Sequence, residues 1–299
     1  MTSPENYRRG VIAMSLSMAV LLVNDSIVKL VTARMPSDQI IFTRGIFVVL
    51  YILVWLLATQ RSAFRHLASR SLFWVAGRGF MDAGASFSWV ASLIWLPLAN
   101  GTAITLAGPL ILTGLAMLFL RERVGWHHWA GTVAGLLGVL LIIQPSGEAF
   151  NAASLLALLS TLLVSTRDAI TRRIGFVIPS ILLTLGTGTV TSVLAGIVVL
   201  YKGWPPVEVG DVALLAFAAF FIIAAQQLSI IALRAAEASQ VAPFRYTSML
   251  WAMFFGYVLW GDVPNLLAFA GMAVVVLSGL YLLHRQRVVQ RIAQPAAAE

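Results

Sequence analysis

At 299 residues, with 60% hydrophobic and only 11% charged side chains, the chain is too apolar for a soluble domain, which averages about 45–50% apolar and about 25% charged. Its mean hydropathy of +0.90 and its length suit a polytopic membrane protein of about ten spans, each needing roughly 20 apolar residues. The net charge of +8 would suggest nucleic acid in a soluble protein, but the basic residues cluster at span ends, so no nucleic-acid partner is expected.

Taken in order, hydropathy places spans near 11–33, 38–59, 72–95, 97–120, 126–143, 152–173, 179–200, 211–236, 238–260 and 264–283. The first begins after Arg8 and Arg9 and imitates a signal peptide. Asn24-Asp25 and the missing A-x-A site argue for a retained span. With the N-terminus inside, thirteen arginines fall on the inner side and only Arg34 and Lys202 on the outer. That bias puts both termini in the cytoplasm, in a bacterial-type inner membrane.

The sequence also repeats. Asp25-x3-Lys29 recurs as Asp168-x3-Arg172, and Pro36-Ser37 as Pro179-Ser180, each 143 positions later. At a spacing of 140, Ala99-Asn100 answers Ser239-Gln240, Glu122 answers Asp262, and Ala130-Gly131 answers Ala270-Gly271. Each half holds five spans, an odd number, so the second copy must be upside down. The expected fold is an all-α membrane protein of ten transmembrane helices in two inverted five-helix repeats, 1–147 and 148–299, forming one transport unit.

Eight ionised side chains fall inside these spans: Asp25, Lys29, Arg44, Arg78, Asp82, Arg167, Asp168 and Arg245. Facing lipid, they would cost roughly 20–28 kcal/mol together, more than a marginally stable fold tolerates. They must face one another, water or a ligand. Asp25/Lys29, Arg78/Asp82 and Asp168/Arg172 are spaced four apart, so each pair shares a helical face. For the first and third pairs, packing ion pairs and gates near the two mouths are both open. Arg78/Asp82 lies nearer mid-depth on a helix rich in Gly and Ala, which favours a cavity. Asp82 is also a candidate proton site.

Arg44 and Arg245 have no acid at helical spacing on their own spans. Five buried bases against three acids leave a formal excess of +2, favouring a substrate with a carboxylate or phosphate, to which Arg donates bidentately. Pro243 and Tyr246 flank Arg245. Pro243 and the Gly108-Pro109 pair are candidate hinges, since proline frees a backbone carbonyl one turn earlier. Asn100, Gln226, Gln227 and Gln240 are polar candidates for the substrate site, and Phe80, Trp89, Tyr246 and Trp251 are candidates for stacking on a planar substrate. Trp95, Trp126, Trp129, Trp204 and Trp260 read as interfacial anchors. Gly131-x3-Gly135 marks a helix contact serving either internal packing or dimerisation.

Ten spans in two inverted halves, each ending in an apolar helix, an acidic turn (Arg121-Glu122-Arg123; Gly261-Asp262-Val263) and a small-residue helix beginning Ala-Gly, resemble the EamA-type drug/metabolite transporter superfamily. The resemblance covers almost the whole chain. It implies a central cavity lined chiefly by spans 3, 4, 8 and 9, with access alternating as the halves rock. Members include exporters of amino acids and related metabolites, and importers of riboflavin or S-adenosylmethionine. Arg78-x3-Asp82 and Arg167-Asp168 resemble the metabolite-carrier branch. Asp262 and Pro264 depart from the usual pattern, in which Glu is more common.

Enzyme chemistry finds no support. The histidines sit at span ends, and the adjacent His127-His128 lack the i, i+4 spacing of a helical zinc site. No cofactor or metal is expected. No Gly-Lys phosphate loop is present to drive transport by ATP. The expected function is secondary active transport of a small anionic metabolite (amino acid, riboflavin-like, S-adenosylmethionine-like or carboxylate), with protons or a counter-substrate as coupling partners and the lipid bilayer as solvent. A membrane-embedded enzyme and a passive channel are the alternatives, and oligomeric state is not readable.

Overall fold

The computed structural model describes residues 4–59, 69–96, 98–122, 124–143, 152–261 and 265–293. The expected 147/148 boundary, Arg123, Asp262, Pro264 and the side chain of Asn100 lie outside the described residues. What is described is helices joined by short turns and loops, with twelve α-helices grouped into ten rods at the expected places. They are α1 (Pro4–Val31), α2 (Ser37–Thr59), α3 (Ser69–Trp95), α4 (Leu98–Thr105), α5 (Gly108–Phe119), α6 (Trp126–Ile143), α7 (Ala152–Ile174), α8 (Ser180–Lys202), α9 (Val209–Ala235), α10 (Ala238–Val241), α11 (Thr247–Trp260) and α12 (Leu266–Ala293).

Two rods are interrupted where proline removes a backbone donor. Pro109 starts α5 after the turn that ends α4. Pro243 lies in a 3-10 stretch, Ala242–Tyr246, between α10 and α11. Elsewhere the rods stop at conventional signals. Gly175 (φ 61°) follows α7 and Gly261 (φ 74°) follows α11, in the left-handed conformation that glycine adopts without a Cβ penalty.

Among the described residues, five helices are long and apolar enough to cross a membrane: α1, α2, α7, α8 and α9. Polarity is distributed inside out. Leu200, Phe73 and Leu118 are exposed, Leu200 to 86%, whereas Arg78 is 2% and Asp168 1% exposed. Such a surface is stable only against acyl chains, and such an interior only with its charges partnered.

The main helix contacts cross between the two halves of the sequence: α1 lies on α9, α3 on α7, α2 on α8 and α6 on α12. Close α6–α12 packing requires glycine. A Cβ at Gly138 would stand 2.9 Å from the Gly271 carbonyl oxygen, and one at Gly135 2.4 Å from the Tyr246 ring. The Gly131-x3-Gly135 motif is therefore occupied within the chain: Gly131 faces Leu282 at similar closeness.

Candidate functional site

A cavity of about 160 Å³ lies along the central seam. Three of the cross-half helix pairs open it from both halves: α1, α2 and α3 supply one side, and α7, α8 and α9 the other. Among the described residues only Thr105 and Arg245 come from the interrupted rods. The resemblance implied walls from spans 3, 4, 8 and 9. Spans 4 and 9 are instead displaced to the flanks, because α1 packs on α9 and α3 on α7 and these pairs close the centre.

Every ion pair assigned by i, i+4 spacing has a different partner here. Arg78 does not bind Asp82. Its guanidinium turns toward α7 and α8, donating to Thr171 Oγ1 at 2.9 Å, to the Leu183 carbonyl and to Thr187. Gln226 stands between the two, accepting from Arg78 at 3.0 Å and donating to Asp82 at 3.4 Å. Asp82 is paired with Arg167 across the seam. Arg167 also holds Asp168 at 2.9 Å, and Asp168 takes Arg245 at 2.6 Å. The sequence Asp82–Arg167–Asp168–Arg245 is thus a continuous chain of alternating charge. Spacing on one helix puts two groups within reach, but a better-aligned partner on a facing helix wins when burial demands full pairing.

The other two spacings fail in the same way. Lys29 donates to the carbonyls of Leu93 and Leu96 at the C-terminal end of α3, where a cation meets the helix dipole favourably. Arg172 reaches Glu122 at 3.4 Å and the Leu233 carbonyl at 3.3 Å. Glu122 also accepts from the backbone amides of Ala238 and Ser239 and from the Ser239 hydroxyl. This joins the turn after α5 to the start of α10. At the opposite end Arg34 meets Asp211 at 2.6 Å and Lys202 meets Asp38 at 3.4 Å. Arg34 is raised above its usual range by that hydrogen bond and by the Asp211 charge.

Asp25 and Arg44 are left apart from this pairing. Asp25 is 7% and Arg44 9% exposed, and both line the cavity. Among the described residues neither enters an ion pair. Asn24 stands between them, donating to Asp25 Oδ1 at 2.9 Å and accepting from Arg44 at 3.1 Å. The Trp89 side chain is within hydrogen-bonding reach of Asp25 and forms part of the cavity wall. Sequence reasoning missed Asn24, whose signal is only its adjacency to Asp25. It also missed Thr191 and Ser229, buried cavity-lining hydroxyls with no partner among the described residues.

Of the remaining expected site residues, Gln226 lines the cavity and Gln227 does not, donating instead to Thr184 at 2.7 Å. Gln240 lies away from the cavity, bonded to Glu237 at 3.0 Å. The Glu237 carboxyl, between α9 and α10, is pushed up by burial and by nearby Glu122. Tyr246 is a core residue whose hydroxyl donates to the Thr132 carbonyl at 2.8 Å. Phe80 and Trp251 are exposed on the outer surface. Gly108 contacts Thr161 of α7 at the break, the methyl 3.4 Å from where a Cβ would sit. The small residues of α3 divide their work: Ala85 and Ser86 line the cavity, whereas Gly79 and Gly84 admit Val190 and Leu163.

An apolar exterior around a charge-lined cavity is the arrangement expected of an integral membrane transporter. The comparisons agree. The chain belongs to the EamA-like transporter family, whose model matches residues 8–144 and 151–284. It is 24% identical over 291 residues to the S-adenosylmethionine uptake transporter of Rickettsia prowazekii (strain Madrid E), covering 95% of each chain. It is 28% identical over 209 residues to the riboflavin transporter of Rhizobium johnstonii, covering 70% of this chain and 68% of that one. The pseudopaline exporter CntI of Pseudomonas aeruginosa is 24% identical over 282 residues, with 92% and 96% covered. A crystal structure of a protein 16% identical matches the fold at a TM-score of 0.75, over 95% of this chain and 99% of that one.

Proposed function

We propose that this protein is a secondary active transporter of a small organic metabolite carrying an anionic group, working by alternating access in a bacterial-type inner membrane with both termini cytoplasmic. The observation that carries the reading is Arg44: a buried guanidinium on the cavity wall with no carboxylate bonded to it. A fixed cation in a low-dielectric cavity attracts an anion strongly. Arg245, the other unpaired candidate from sequence, is already neutralised by Asp168, which leaves it a positioning role. The names of the relatives support a metabolite as cargo.

The architecture proposed is ten spans in two inverted repeats, 1–147 and 148–299. Pairing α1 with α7, α2 with α8, α3 with α9, the interrupted rods with one another and α6 with α12 carries the principal helix contacts onto one another. The packing of α1 on α9 answers that of α7 on α3, and α5 on α7 answers α11 on α1. An exchange of this kind gives two conformations of similar energy, as alternating access requires.

The test is counterflow in proteoliposomes loaded with S-adenosylmethionine, amino acids, carboxylates or riboflavin. A carrier exchanges labelled for unlabelled substrate with saturation, and Arg44→Gln is expected to lower the rate at least tenfold with little change in the folded yield. Flux that neither saturates nor shows counterflow would replace this reading with a channel.

A further inference from the structure

Resting on the carrier reading, we infer that the cavity takes a zwitterion, with its carboxylate on Arg44 and its cationic group on Asp25. Among the described residues these are the cavity's two charges outside the alternating chain of ion pairs, one of each sign. Both are nine-tenths or more buried and both line the wall. An anion receptor alone would need only Arg44, and a buried carboxylate beside it would repel the ligand. Asp25 is therefore unexplained by an anionic substrate and explained by a dipolar one.

Asn24 sets the geometry. Its amide NH2 donates to Asp25 and its carbonyl oxygen accepts from Arg44, so one side chain holds the two charges side by side with no direct ion pair between them. The groups facing them are also fixed. From α3 come Asp82 and Trp89, from α7 Arg167, and from the 3-10 stretch Arg245, all on the cavity wall. Asp82, Arg167 and Arg245 are paired through the Asp82–Arg167–Asp168–Arg245 chain. Lys29, one turn further along α1, is directed to carbonyls of α3. None of these competes for the ligand's ends.

The hydroxyls of Thr191 and Ser229 are buried on the same wall without partners among the described residues. A buried hydroxyl left unpaired is costly, and a polar ligand removes that cost. Trp89 adds an aromatic face next to Asp25, suited to the cationic end or to a planar ring.

Equilibrium binding to the purified full chain in detergent tests this without transport. The probes are S-adenosylmethionine and L-tryptophan, each compared with analogues lacking one charge: decarboxylated S-adenosylmethionine and tryptamine without the carboxylate, and indole-3-propionate without the amine. The expected result is that at least one zwitterion binds and that removing either charge weakens it by roughly 30-fold or more, the loss typical of stranding one buried charge. Arg44→Gln should abolish the preference for zwitterion over amine, and Asp25→Asn the preference for zwitterion over carboxylate. The wild-type analogue series decides the question even where a variant fails to fold. Failure of both zwitterions to bind, or equal binding of the single-charge analogues or of uncharged riboflavin, overturns the zwitterion assignment and leaves the carrier to stand on counterflow. Zwitterion binding without counterflow would keep the subsite and remove the carrier.

Discussion

Arg167 shows how a single residue holds the interior together. It bonds Asp82 on α3 and Asp168 beside it on α7, so losing it strands a carboxylate at the seam. Breaking a buried pair from one side costs about 3–5 kcal/mol, whereas replacing both partners with apolar groups is often neutral. Arg167→Met should therefore destabilise the protein by about that amount in detergent, and adding Asp82→Leu should restore most of it. Thermal unfolding of the single and double variants checks this. If Arg167→Met melts with the parent, the charge chain is not what holds α3 to α7. The same logic separates Arg245, which shares Asp168 with Arg167, from Arg44, which has an amide as neighbour. Only the latter has charge to spare for a ligand.

At the scale of elements, the helices and their breaks follow from local rules, and the partners do not. Hydropathy locates ten rods, and proline chemistry locates both interruptions, because each depends on a few consecutive residues. The identity of Asp82's partner depends on α7 arriving beside α3 from 85 positions away, which no spacing along one helix encodes. Lys29 is the same case, its carbonyl partners lying on α3. Glycine is partly legible: Gly131-x3-Gly135 announced a contact, but that it is α6 against α12 appears only in the packing. At Gly138 a Cβ would meet the Gly271 backbone oxygen at 2.9 Å, with Val275 and Val274 close behind at 3.0 and 3.1 Å, and the backbone atom cannot swing aside. Gly138→Val should cost about 1–3 kcal/mol by overpacking. Gly114 in α5, with nothing within 4 Å of its Cβ position, should accept alanine with a gain of about 0.5–1 kcal/mol. Melting temperatures moving the same way in both variants would contradict the close α6–α12 approach.

For the molecule as a whole, polar contacts at both ends of the seam join opposite halves. At one end Arg34 binds Asp211 and Lys202 binds Asp38. At the other, Glu122 holds Arg172, Ser239 and the amide of Ala238. In each of these ion pairs the carboxylate is buried and the base is partly or largely exposed, so water can take over the base when the pair opens during a cycle. A rocking mechanism needs each end to open in turn, so locking either should stop exchange. The chain has no cysteine, so paired cysteines can be introduced without background. Arg34→Cys with Asp211→Cys, and separately Glu122→Cys with Ser239→Cys, should each give a protein whose counterflow is abolished by a short reducible bifunctional thiol reagent and recovered on reduction. Each single cysteine variant, treated identically, should keep its untreated rate. Undiminished counterflow with one end fully cross-linked would mean that end never opens, and a two-sided cycle could not be sustained. Backbone amides and the Ser239 hydroxyl hold the Glu122 carboxylate alongside Arg172, whereas the Arg34 end rests on ion pairs with well-exposed bases. Salt should therefore loosen the Arg34 end more than the Glu122 end.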